Sequence, residues 1–138
     1  MKLLLKNVNI ISPGSVHHLT VKDVLISGNK IIAVDEGGKI PVEDAETIEE
    51  NDLFVSPGWF DLHVNFCDPG EENMEDVVSG SRAAAQGGFT GVLVMPSTKP
   101  PISSRPTVEY VLAKSSELAV NIHVAGTISK NSEGVDLS

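Results

Sequence analysis

The chain has 138 residues, enough for one ordinary domain with a real core or for one small domain and part of another. Its formal net charge of -9, with ten scattered Lys and Arg, argues against a nucleic-acid partner, because phosphate binding needs clustered cations. No run approaches about 18 apolar residues, and Lys6, Asn7 and Asn9 interrupt the apolar start MKLLLKNVNII, so no membrane span or signal peptide is indicated and a cytoplasmic location is expected. The single cysteine allows no intrachain disulfide, which fits a reducing compartment.

Residues 2–11 read as a strand, and His17-His18 as a solvated turn before the next one. Residues 23–34 (DVLISGNKIIAV) predict two short strands joined by Gly28-Asn29, a pair that accepts the positive φ of a tight hairpin. The acidic run 43–52 (EDAETIEEND) predicts a solvated surface, and residues 45–55 a second hairpin turning near Asn51-Asp52. Residues 1–55 are therefore expected to form a small antiparallel β-sandwich-type module.

After Pro57-Gly58 the pattern becomes strand, helix, strand, helix, strand. Residues 59–64 form the first strand of this α/β region. Asn73 is the expected N-cap of a helix reaching Gln86, with Glu75 and Asp76 in its first turn and Gly87-Gly88 as its stop. TGVLVM, residues 90–95, is a nearly continuous apolar run, as a strand covered on both faces requires. Ser104 caps and Pro106 opens a second helix with Val108, Val111 and Leu112 toward the core. Residues 120–127 alternate as a third strand, with His123 as a packed residue. Residues 56–138 thus read as the first three parallel βα units of an incomplete TIM (β/α)8 barrel, since a closed one needs eight strands and roughly 250 residues. An open three-stranded α/β sheet is the alternative.

The chemistry-bearing stretch is HVNFCDPG, residues 63–70. Strict alternation places Asp61, His63 and Asn65 on one face of the strand and Phe60, Leu62 and Val64 on the other. Two histidines at the spacing of His63 and Asn65 could share a metal ion, but only one imidazole is offered, and a carboxamide oxygen is a far weaker donor to zinc. Any metal here is expected to be weakly held. Asp61 either supports a ligand from behind, by accepting from a ring nitrogen, or pairs with local backbone. Cys67 reads as a small space-filler rather than a thiolate ligand.

PGWFDLHVNFCDPG followed by EDVVSGSRAAAQGGFTGVLVMPSTKP resembles the start of the dihydroorotases, cyclic amidohydrolases of pyrimidine biosynthesis. The resemblance runs over the whole chain and implies a zinc-dependent hydrolase in which metal-bound hydroxide opens a cyclic amide, interconverting dihydroorotate and carbamoyl aspartate. Position by position, His63 matches the first metal ligand and Asn65 stands where a second histidine is expected. Cys67 and Ser97 occupy the positions of an arginine and an asparagine that hold the substrate carboxylate, and Asp68 replaces a glutamate. No catalytic residue is expected within this segment, since the remaining ligands and a proton-shuttling aspartate would lie beyond residue 138 of a longer protein. Lys130, in the loop TISKNSEG, does not match the metal-bridging lysine of some relatives. The resemblance leaves two functions open: a hydrolase, inactive as this chain stands, or a catalytically dead structural partner of aspartate transcarbamoylase; the open strand edges of an incomplete barrel separately suggest pairing, with its missing half or as a homodimer.

Overall fold

The computed structural model describes residues 1–41 and 44–138; Glu43, the first residue of the acidic run, lies outside the described residues. The chain is mixed α/β and divides into two compact units, Met1–Pro57 and Gly58–Ser138.

The first unit carries β1 (Lys2–Ile10), β2 (Val21–Ser27), β3 (Lys30–Asp35), β4 (Ala45–Glu49) and β5 (Phe54–Val55). They form one sheet in the order β3-β2-β1-β4, with β5 also on β1. The Gly28-Asn29 hairpin forms as expected: Ser27 faces Lys30, and Gly28 takes φ +59°. The second hairpin does not form, and the module is a mixed sheet rather than an antiparallel sandwich. β4 lies parallel to β1 from Lys2 to Lys6, and β5 continues parallel beside Asn9 and Ile10. Asn51-Asp52 is a sidestep, with Asp52 at φ 57°, and it matches a bulge on β1 where Asn7 takes φ 53°.

That bulge is pinned from beneath. Asp23, only 1% exposed, accepts the Asn7 N–H at Oδ1 (2.9 Å) and the Gly38 N–H at Oδ2 (2.8 Å). The extra residue changes which face the strand buries. Leu4 packs with Leu25 and Ile40, while Val8 and Ile10 pack with Val24 in a separate cluster. Asp23→Asn keeps one acceptor and turns an NH2 toward the other buried N–H, so we expect a loss of about 1 to 3 kcal/mol, read as faster amide exchange at Val8 and Val24. His17 and His18 are half-buried rather than solvated, and the His18 ring accepts the Ser12 N–H at Nδ1, 3.1 Å away.

The second unit contains β6 (Trp59–Val64), α1 (Val77–Gln86), β7 (Phe89–Val94), α2 (Arg105–Ser115) and β8 (Asn121–Val124). Its sheet is parallel throughout, in the order β6-β7-β8. Val77, Val92, Val94, Ile102, Val111 and Ile122 are buried together as the core between sheet and helices.

Helix α1 starts three residues later than Asn73 implies. Asp76 is the cap: its Oδ1 accepts the Ser79 N–H (2.7 Å) and the Ser79 hydroxyl accepts the Asp76 N–H (3.1 Å). The reciprocal box satisfies two orphan donors, which a lone asparagine upstream cannot do. The Ser79 N–H holds the Asp76 carboxyl below its ordinary range. Ser104 and Pro106 open α2 as expected, with Val111 buried, but Leu112 is 43% exposed because it lies at the margin of the stripe formed by Val108 and Val111. Strand β8 is shorter than the apolar alternation over 120–127 suggests. Beyond Val124 the backbone leaves the ladder: Ala125 bonds to Val94, while Thr127 bonds to Ile102 in the loop before α2.

Candidate functional site

The sequence-predicted residues lie at the carboxyl end of β6 and in the loops beyond β6 and β7. Asp61 is in register with Val92, but Val64, three residues on, is in register with Val94, so β6 carries one extra residue. Asp61 and Val64 therefore share the helix-facing side, and the strict alternation of Asp61, His63 and Asn65 on one face is broken. Strict alternation cannot foresee this, because a bulge inverts the parity of everything after it. Asp61 lines a cleft of about 320 Å³ on the α1 side of the sheet with Val64, Phe66, Gly80 and Val92, and Asn65 reaches its rim. Its Oδ1 accepts the backbone N–H of His63 at 2.9 Å, the local pairing and not the ring-nitrogen one.

Beyond β6 the chain stays beside β7, with the Met95 N–H bonded to the Val64 carbonyl at 2.9 Å. This brings together the side chains of Asn65 and Ser97, 32 residues apart: the Ser97 hydroxyl donates to Asn65 Oδ1 at 2.8 Å. Cys67 turns through φ 51°, with its thiol Sγ 3.9 Å from the Asn65 carbonyl oxygen. Three of the sequence-predicted positions, Asn65, Cys67 and Ser97, thus sit in one small cluster. The His63 side chain is exposed and makes no hydrogen bond among the described residues. His123 is exposed too, its ring 5.4 Å from Phe60. Lys130 lies on an exposed 3-10 turn, Lys130–Ser132.

Next to the cluster, Asp68 is fully buried, yet every lone-pair direction it uses is matched. The Tyr110 hydroxyl donates to Oδ1 (3.0 Å), while Lys114 Nζ (2.7 Å) and the Val77 N–H (3.4 Å) donate to Oδ2. The bond to Asp68 pushes the Lys114 amine above its ordinary range, and Lys114 also lies 4.9 Å from the Tyr110 ring centroid. The segment after β6 is thereby fastened to both helices. Tyr110 and Lys114 escape a motif reading because neither belongs to a motif; the available signal is their i, i+4 spacing flanking buried Val111. In the loop after β7, Lys99 is committed to Glu71 at 2.6 Å.

The donor set does not suit zinc. A tetrahedral site asks for several imidazole, thiolate or carboxylate ligands, and no three His, Cys, Asp or Glu converge among the described residues. His63 offers one imidazole with no partner to fix its orientation, and Asn65 offers an oxygen already accepting a hydrogen bond.

The profile of the family described as Dihydro-orotase-like matches residues 53–137. The dihydroorotase of Streptococcus thermophilus strain CNRZ 1066 is 38% identical over 136 residues, covering 99% of this chain and 32% of that protein. The dihydroorotase of Geobacter metallireducens is 40% identical over 139 residues, covering the whole chain and 32% of its relative. The chain thus spans about a third of the length of the curated relatives it matches. Among solved structures, an L-hydantoinase (dihydropyrimidinase) from Arthrobacter aurescens superposes with a TM-score of 0.77 and 25% identity over 92% of this chain and 28% of its own. A dihydroorotase crystal structure gives 0.57 at 21% identity over 94% of this chain and 32% of its own, a likeness of fold alone. With the profile covering the strand-end cluster and relatives similar from end to end of the 138 residues, the chain belongs to the dihydroorotase-like family.

Proposed function

We propose that residues 56–138 are the opening βα units of a dihydroorotase-type barrel, and that this chain does not itself interconvert dihydroorotate and carbamoyl aspartate. The carrying observation is the Ser97–Asn65 hydrogen bond: two positions that such a site would give to metal and substrate are spent on each other. With Cys67 in place of a cation, Lys99 paired with Glu71 and Lys114 of α2 paired with Asp68, no free positive charge is left in these loops to take a substrate carboxylate. A carboxylate binds strongly only where a charge-assisted donor meets it. The site keeps neutral donors and acceptors, which orient an amide but do not activate water toward it.

A structural role follows for the chain. Phe60 and Leu62 are 49% and 71% exposed on the sheet, and β6 and β8 each have one unpaired edge, so a companion polypeptide would bury apolar surface and complete backbone pairing. The family resemblance suggests aspartate transcarbamoylase as the companion, and the open strand edges suit a second copy of the chain.

The test is turnover of the Met1–Ser138 chain, purified without chelators, with added zinc, assayed in both directions on dihydroorotate and carbamoyl aspartate. We expect no rate above the protein-free control. Turnover that disappears in His63→Ala would overturn the proposal.

A further inference from the structure

Resting on that reading of the site, we infer that the ends of β6 and β7 carry a hydrogen-bonded lock in place of a metal-ligand pair: Asn65 and Ser97 act as one unit, and this chain's own side chains do not take zinc. Three independent features of the cluster support it.

The first is Asn65. Its only ligating atom is Oδ1, since the amide nitrogen lone pair is delocalised, and Oδ1 receives the Ser97 proton at 2.8 Å. Turning that oxygen toward a cation would leave the serine hydroxyl without its partner. The second is His63. A metal-bound imidazole normally donates its other N–H to a carboxylate or carbonyl that fixes the ring. The nearest carboxylate in the strand, Asp61, is bound to the His63 backbone N–H, and the β6 bulge has carried it to the helix-facing side. The third is Cys67, whose sulfur sits 3.9 Å from the Asn65 carbonyl oxygen as a weak donor. Each candidate ligand is thus engaged elsewhere or left unsupported.

The experiment has two readouts on the Met1–Ser138 chain. Zinc binding is followed by equilibrium dialysis for the unaltered protein, His63→Ala, Asn65→His and Asn65→His/Ser97→Ala. The unaltered protein and His63→Ala should bind equally weakly. Asn65→His, which supplies a second imidazole two residues from the first, should bind on the order of tenfold more tightly or better, and removing Ser97 as well should not weaken that gain. Urea midpoints are compared for Asn65→Ala, Ser97→Ala and the double variant. A lock predicts that the double variant is no less stable than the worse single one, since the second change removes a bond already lost.

One equivalent of zinc on the unaltered protein, lost in His63→Ala, would overturn the inference, and so would additive effects of the two alanine substitutions. Failure here is distinct from failure of the proposed function. Turnover without zinc binding would remove the latter and leave the lock; zinc binding without turnover would do the reverse.

Discussion

Lys114→Met will cost the second unit about 3 to 5 kcal/mol, more than Asp68→Asn at the other end of the same ion pair, which will cost about 1 to 2. The asymmetry comes from burial. Asp68 has no exposed surface, so losing the ammonium strands a carboxylate that keeps only the Tyr110 hydroxyl and the Val77 N–H. The Lys114 side chain is 36% exposed, so once Asp68 is neutral the ammonium can turn to water. The double variant should be more stable than Lys114→Met alone, because the uncompensated charge is gone. Both α-helices described lie in the second unit, so helical ellipticity in a urea titration reads its stability directly. Equal effects of the two single changes would mean that the pair behaves as a surface contact.

The same pair sets an alkaline limit. Lys114 is held above its ordinary value of 10.5 in the folded chain by its bond to Asp68. Below that value both folded and unfolded lysine are protonated, and the contribution to stability is complete; above it the unfolded chain loses the proton first, and the contribution falls as pH rises. Asp68→Asn should remove this part of the alkaline decline.

Gly70→Ala should destabilise the second unit by about 2 to 5 kcal/mol, through strain and overpacking acting together. Gly70 has φ +109°, and a Cβ built there would lie 1.7 Å from the Lys99 carbonyl oxygen, a backbone atom that cannot rotate away. The segment after β6 and the one after β7 touch at this point, and the Lys99 N–H also bonds to the Pro69 carbonyl at 3.0 Å. A methyl group forces them apart, and with them the Asn65–Ser97 contact. Gly134, at φ +73° with nothing within 4 Å of an added Cβ, separates the two causes. Gly134→Ala carries only the backbone penalty and should cost about 1 kcal/mol. A similar small loss at Gly70 would show that the two segments part without resistance.

How much could be read from the sequence differs from element to element. The Gly28-Asn29 hairpin and the Ser104-Pro106 helix start were legible because their chemistry is local: a residue that tolerates positive φ, a cap, and a proline where no N–H is needed. The parallel course of β4 and β5 was not, since Asn51-Asp52 has the composition of a reversing turn and becomes a sidestep only because Asn7 bulges on the neighbouring strand. The cap of α1 moved from Asn73 to Asp76 because the structure rewards the reciprocal bond with Ser79. At the site, the motif residues were visible one by one, including the departure of Asn65 from the family pattern. Their relations were not. The bulge in β6, the Ser97–Asn65 bond and the burial of Asp68 under Tyr110 and Lys114 all depend on partners 30 or more residues away.

The placement of β6 has an optical consequence. Trp59, the sole tryptophan, opens that strand and is 60% exposed, and Tyr110, the sole tyrosine, lies in α2. Both residues belong to the second unit, so tryptophan and tyrosine absorbance and tryptophan emission arise there. Emission from so exposed an indole starts red-shifted and moves little on unfolding. Burial of the open sheet by a companion chain would therefore shift it to the blue, giving the association an intrinsic signal without a label.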